Sequence, residues 1–209
     1  MIFFSKNNLK IYIINLDNLK DKLDYFKSIL SKEELLKAEN IKNTKEYEKY
    51  IVIHGKLRDV LSKYIKISPK SIIFEYNKHK KPFILKNQNV KSLYFNISHT
   101  KNILIIAIIF KNKFIGVDIE DKLRKINNNL FNYVLSPFEC LTNHHFFDYW
   151  TFKESVLKAV GCGIITKLNS ISIDFNNKTI KLPKFGFIKK LYVLKINYKN
   201  YIITACLII

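Results

Sequence analysis

Several residue types are scarce in this sequence, and each scarcity excludes something. There are three cysteines, Cys140, Cys162 and Cys206, odd in number and far apart. No disulfide framework or zinc-ligand spacing can be built from them, and each reads as a small buried or half-buried residue. The longest unbroken apolar run is Ile103 to Phe110, far below the ~18–20 residues that span a bilayer. Met1 to Lys10 shows no basic start followed by an apolar stretch and a cleavage site. The expectations are therefore a cytoplasmic protein with no membrane partner. Only 5 glycines and 4 prolines are present, and no Gly/Pro/Ser-rich linker divides the chain.

Acidic residues are also few, 17 against 36 basic ones, for a net charge of +19. Arginine is nearly missing, with Arg58 and Arg124 alone. The excess is therefore lysine, accompanied by abundant Asn and Ile, the pattern that AT-rich codons produce. A phosphate-rich or acidic partner and simple codon drift on a solvated surface both fit, and charge alone does not separate them.

Enough Ile, Leu, Phe and Tyr remain, within 48% apolar residues, to close a core and exclude intrinsic disorder. Ile11–Ile14 reads as a strand, and Leu19, Leu23, Phe26 and Leu30 fall at helical spacing. Ser31-Lys32-Glu33-Glu34 is a capping box that opens a second helix. Tyr47, Tyr50, Ile51, Leu57, Leu61 and Tyr64 form one stripe of a long helix over 45–65, ended by Ser68-Pro69. Strands follow at 72–76, 93–96, 103–110 and 114–120. Asn127–Asn129 is a turn or helix start, and Ser136-Pro137-Phe138-Glu139 carries a helix N-cap pattern. A strong helix over 148–160 stops at Gly161, and strands close the chain at 171–175, 191–196 and 201–208. The sum is an α+β chain of two similar α/β halves, divided at 1–100 and 101–209.

Three clusters carry chemistry. Asn96-Ile97-Ser98-His99 lies between two strands; it offers a hydroxyl and an imidazole, or simply forms a turn with an exposed histidine. In Gly116-Val117-Asp118-Ile119-Glu120, the alternation of a strand puts Asp118 and Glu120 on one face, ~6–7 Å apart, and Val117 and Ile119 on the other. Such paired carboxylates suit a hard cation such as Mg²⁺ or an exposed strand edge. In Trp150-Thr151-Phe152-Lys153-Glu154-Ser155-Val156-Leu157-Lys158, one helical face gathers Trp150, Glu154, Leu157 and Lys158. Glu154 and Lys158 form either a surface ion pair or, with Trp150 and Leu157 packing inward beside them, the rim of a cleft. Lys153 reads as a supporting or surface charge.

In this order and spacing, the three clusters resemble the signature of the large, Sfp-type 4′-phosphopantetheinyl transferases: Asn-Ile-Ser-His, then Gly-(Val/Ile)-Asp-(Ile/Val)-Glu, then Trp-x-x-Lys-Glu-(Ser/Ala)-x-x-Lys. The resemblance runs roughly from Tyr47 to Phe175. It implies a pseudo-dimer of two halves in a single monomeric chain, with the active site in the cleft between them. It also implies transfer of phosphopantetheine from coenzyme A to a serine of an apo acyl or peptidyl carrier protein, releasing adenosine 3′,5′-bisphosphate. On this resemblance Asp118, Glu120 and Glu154 hold Mg²⁺, with Mn²⁺ as the alternative ion. Glu154, or a water oriented by Glu120, is the base, and Lys158 meets the leaving phosphate. Ser98 and His99 bind coenzyme A phosphates, His99 nearest the 3′-phosphate. Lys81, preceding Pro82, and Arg58 and Lys49 on the long helix add basic contacts. Lys80 stands where the family has glycine and Lys49 where it has arginine; His54 reads as a packed helix histidine. The segment Phe131–Phe147, with Phe131, Tyr133 and Phe138, is the expected docking surface for an acidic carrier. A basic nucleic-acid-binding module is the alternative, drawing on the charge and on aromatic rings able to stack on bases.

Overall fold

The computed structural model describes residues 2–6, 8–89, 91–112, 114–139, 141, 145–163, 167–174, 179–183, 186–188 and 190–209. In chain order the elements are β1 (Ile2–Lys6), β2 (Leu9–Asn15), α1 (Leu23–Ile29), α2 (Lys32–Glu39), α3 (Thr44–Ile65), β3 (Phe74–Tyr76), β4 (Pro82–Ile84), β5 (Leu93–Thr100), β6 (Ile103–Phe110) and β7 (Ile115–Asp121). They continue with α4 (Asn128–Val134), α5 (Phe146–Val160), β8 (Ser172–Asp174), β9 (Thr179–Leu182), β10 (Gly186–Ile188), β11 (Leu191–Tyr198) and β12 (Tyr201–Ile208). The architecture is α+β, as the sequence predicts.

Two antiparallel sheets form the centre: β1-β2-β6-β5 and β11-β12-β7. β6 shows how they stack. Its even-numbered residues Leu104, Ile106 and Ile108 pack with α1 and α3. Its odd-numbered residues Ile103, Ile105, Ala107 and Ile109 pack with β7 and β12. A strand covered on both faces needs an unbroken apolar run rather than alternation, which accounts for Ile103–Phe110. β12 repeats the pattern: Ile203, Ala205 and Leu207 face the first sheet, and Ile202 and Cys206 face α5. The order of layers is thus helix, sheet, sheet, helix. The predicted division at residue 100 falls between β5 and β6; β6 hydrogen-bonds to both β2 and β5 and so belongs to the first sheet. The chain changes sheets between β6 and β7.

Local signals explain the helices that matter. Ser31 caps α2 through its hydroxyl, and Glu34 closes the predicted capping box. Asn43 caps α3, whose end is set by Lys66 in the left-handed region. α5 begins where the Asp148 carboxylate accepts the His145 amide at 2.9 Å and ends at Gly161, φ +72. Ser136–Glu139 departs from its helix pattern: it makes a single turn, with the Glu139 carboxylate accepting the Ser136 amide at 2.9 Å. That carboxylate also accepts from Lys153 Nζ at 2.6 Å. Cys162 and Cys206 are buried, as read; Cys140 and the predicted strand end at Phe175 lie outside the described residues. Among the described residues no helix is long and apolar enough to cross a membrane.

One glycine places α5. A Cβ on Gly116 would lie 1.9 Å from the Ser155 carbonyl oxygen and 2.5 Å from the Ala159 nitrogen. Only a residue without a side chain lets the α5 backbone lie directly on β7. This contact brings the α5 side chains Glu154 and Lys158 over the β7 carboxylates.

Candidate active site

β5 and β7 lie side by side where the two sheets meet, and polar side chains stitch the seam. The Val117 amide donates to Asn96 Oδ1 at 2.9 Å. Ser98 Oγ donates to Asp118 Oδ1 at 2.9 Å. Lys158 Nζ, arriving from α5, donates to Asp118 Oδ1 at 2.7 Å and to Ser98 Oγ at 2.8 Å. A pocket of about 550 Å³ opens over this point. Its walls include Ser98, His99, Asp118, Glu120, Trp150, Glu154 and Lys158. Three predicted segments, distant in sequence, therefore meet in one place, and the Glu154–Lys158 face is a rim rather than a plain surface.

The electrostatics are those of crowded carboxylates. Asp118 is buried, and its Oδ2 has no hydrogen-bond partner. Burial and then the neighbouring Asp118 charge push the Glu154 carboxyl up to about 7, with Lys158 opposing. Glu120 is raised by burial and by Asp118, with Arg124 pulling the other way. Arg124 Nη1 donates to both Glu120 oxygens at 3.2 Å, and its guanidinium lies 5.1 Å from the centre of the Trp150 ring. The sequence reading passed over Arg124; its position four residues beyond Glu120, past the end of the strand, was the only signal. Among the described residues no three His, Cys, Asp or Glu side chains are gathered closely enough to hold a metal ion, and Lys158 and Arg124 meet the carboxylates instead. The donor chemistry nevertheless fits a hard cation: three carboxylates line one pocket, a buried oxygen lacks a partner, and one carboxyl is raised by its neighbours' charge.

Beside this pocket is a smaller one, about 160 Å³, whose lining includes Lys49, His54, Ile97 and His99. Burial, then Lys49 and Lys158, hold the His99 imidazole below its usual range. Glu46, which lines the same pocket 3.9 Å from Lys49, opposes the two lysines. His54 is packed as expected, its ring centre 4.0 Å from that of Tyr50; burial holds it down to about 4. It also lines this pocket.

Two predicted phosphate contacts lie elsewhere. Arg58 is 1% exposed. Its Nε donates to Glu34 at 2.7 Å, and its Nη1 donates to the carbonyls of Pro69 and Ile72 at 2.7 and 2.9 Å. Those partners consume it inside the first half. Arg58→Met is expected to lower stability by about 3–5 kcal/mol, because it leaves Glu34 buried without its cation. Urea unfolding reads this, and a variant as stable as the parent would contradict the buried pair. Lys81 donates to the Ile115 and Ala159 carbonyls at 2.9 and 3.0 Å, and burial lowers its ammonium to about 8. The turn before it is sound: Lys80 takes φ +63, the conformation that glycine favours. Lys153 is also corrected. It is fully buried and bonded to Glu139, not a surface charge.

Two family models match the chain. One, the 4′-phosphopantetheinyl transferase superfamily, covers residues 114–206. The other, the 4′-phosphopantetheinyl transferase N-terminal model, covers residues 18–110. Among curated proteins, the chain is 28% identical to the 4′-phosphopantetheinyl transferase HetI of a Nostoc species, over 80% of this chain and 74% of HetI. It is 28% identical to the 4′-phosphopantetheinyl transferase gsp of Aneurinibacillus migulanus, over 73% of this chain and 65% of that protein. It is 25% identical to the 4′-phosphopantetheinyl transferase Sfp of Bacillus subtilis, over 84% and 82% of the two chains. With the two models together covering residues 18–110 and 114–206 and the three clusters meeting in one pocket, the chain belongs to the 4′-phosphopantetheinyl transferase superfamily.

Proposed function

We propose that the chain transfers 4′-phosphopantetheine from coenzyme A to a serine hydroxyl of an apo acyl or peptidyl carrier protein, releasing adenosine 3′,5′-bisphosphate. The observation that carries this reading is the convergence of Asp118, Glu120, Glu154 and Lys158 in one pocket, beside a second one lined by His99, His54 and Lys49. Two helix-backed sheets packed face to face support a pseudo-dimer of halves that change over between Phe110 and Ile115, with the site at their seam and the chain acting as a monomer.

Asp118, Glu120 and Glu154 would hold Mg²⁺ or Mn²⁺. When bound, the ion neutralises the charge of the pyrophosphate. The chain's own residues supply the rest. Ser98, His99 and Lys49 hold the coenzyme A phosphates, with His99 on the 3′-phosphate. Glu154, or a water oriented by Glu120, takes the proton of the incoming serine. The serine oxygen bonds to the β-phosphorus as the bond to the bridging oxygen breaks. Lys158, whose side chain is 29% exposed beside Asp118, meets the charge on the departing phosphate.

Carrier docking is read on the segment before α5, in narrower form than its sequence suggests. Phe131 is half-buried against Phe146, ring centres 4.8 Å apart, and is withdrawn from the set. Tyr133 and Phe138, exposed to 38% and 89%, remain. The nucleic-acid alternative has no counterpart among the relatives.

The phosphate assignment has its own test. His99→Ala is expected to weaken coenzyme A by roughly 10-fold or more, the scale of a lost charge-assisted contact, and to leave dephospho-coenzyme A nearly unchanged. Calorimetric titration of both ligands reads the difference, and equal losses remove His99 from the 3′-phosphate.

A further inference from the structure

The Lys81 loop joins the two halves just behind the catalytic pocket. Its ammonium bridges the carbonyl of Ile115, the first residue of β7, and that of Ala159, in the last turn of α5. The Ala159 carbonyl is among the last four of the helix and has no partner within it. A cation there also meets the negative end of the helix. Asn77, in the same loop, donates through Nδ2 to the Gly161 carbonyl at 2.7 Å. Its Oδ1 accepts the amides of His79 and Lys81, both at 2.9 Å, so the loop is preformed. Among the described residues Lys81 has no carboxylate within ion-pair distance; its donors go to backbone.

The two carbonyls it joins are adjacent to the chemistry. Ala159 follows Lys158, and Ile115 precedes Asp118 by three residues on β7. The Gly116 contact lets α5 approach β7, and a buried bond between the Thr151 and Thr204 hydroxyls, 2.7 Å, ties the first half of the helix to β12. Two hydrogen bonds from the Lys81 ammonium tie its last turn to the start of β7.

Resting on the transferase reading above, we propose that Lys81 is a positioning residue: it sets Lys158 and Glu154 over Asp118 from the other half of the chain and does not touch coenzyme A. Lys81→Met is expected to lower kcat by roughly 10- to 100-fold, the loss that a misplacement of about 1 Å brings. The KM for coenzyme A and its calorimetric affinity should stay within about twofold, and Lys81→Arg, which keeps donors for both carbonyls, should recover part of the kcat. A rise in KM for coenzyme A with kcat intact would make Lys81 a ligand contact and overturn the proposal. So would an unchanged kcat, which a merely structural lysine would show at saturating substrates once folded protein is counted. If Lys81→Met does not fold, Asn77→Ala removes the parallel bond to Gly161 and carries the same readout, with kcat lowered and KM unchanged. A parent chain that transfers nothing to any carrier removes the transferase reading, and the proposal with it, whereas an active parent with an unaffected Lys81→Met removes the proposal alone.

Discussion

Asp118→Ala is expected to abolish turnover, by at least about 10²–10³-fold, while the melting temperature moves by no more than a few degrees. Asp118 Oδ1 is the point at which Ser98 and Lys158 converge, and its Oδ2 is buried with no partner. Its charge also raises both Glu120 and Glu154. Removal therefore takes away the hub of the site and relieves repulsion at the same time. Lys158 keeps Ser98 as a partner, and its side chain is 29% exposed, so water can solvate it. Steady-state transfer and thermal unfolding of the same preparation check the two halves of the expectation. Near-normal turnover at ordinary Mg²⁺ would rule out Asp118 as a ligand for the ion.

Lys153→Met should produce the opposite result, a large loss of stability. Lys153 Nζ donates to Glu139 Oε2 at 2.6 Å, to the Val134 carbonyl at 2.6 Å and to the Leu168 carbonyl at 3.1 Å. Both side chains of the pair are essentially inaccessible, 0% and 2%. Removing the lysine leaves Glu139 buried with no cation, a cost of about 3–5 kcal/mol, or about 10 °C in melting temperature for a chain of this size. Lys153→Met combined with Glu139→Gln should recover much of the loss, because no buried charge is then left alone. A single variant that melts with the parent would show that water reaches the pair.

The two expectations separate two kinds of charge that look alike in sequence. Asp118, Glu120, Glu154 and Lys158 were legible because strand and helix periods fix their faces: residues two apart on β7 and four apart on α5 must point together. The Ser31 capping box and the Gly161 stop were legible for the same local reason. Arg58, Lys81 and Lys153 were not. What occupies them is Glu34 from α2, carbonyls of β7 and α5, and Glu139 from a turn, all set by tertiary packing. The Ile103–Phe110 run announces a strand covered on both faces, but not which sheet holds it; pairing with β2 and β5 decides that. Arg124 reaches Glu120 only because the chain turns back after β7.

The central claim is that this pocket carries out phosphopantetheinyl transfer. Intact-mass spectrometry of a panel of apo carrier proteins, incubated with coenzyme A, Mg²⁺ and either the parent chain or Asp118→Ala, tests it most directly. The account predicts that at least one carrier gains the mass of one phosphopantetheinyl group on its serine with the parent and none with Asp118→Ala. A panel spanning fatty-acid, polyketide, peptide-synthetase and aminoadipate-reductase carriers that gains nothing, or that is modified equally by both proteins, would contradict it.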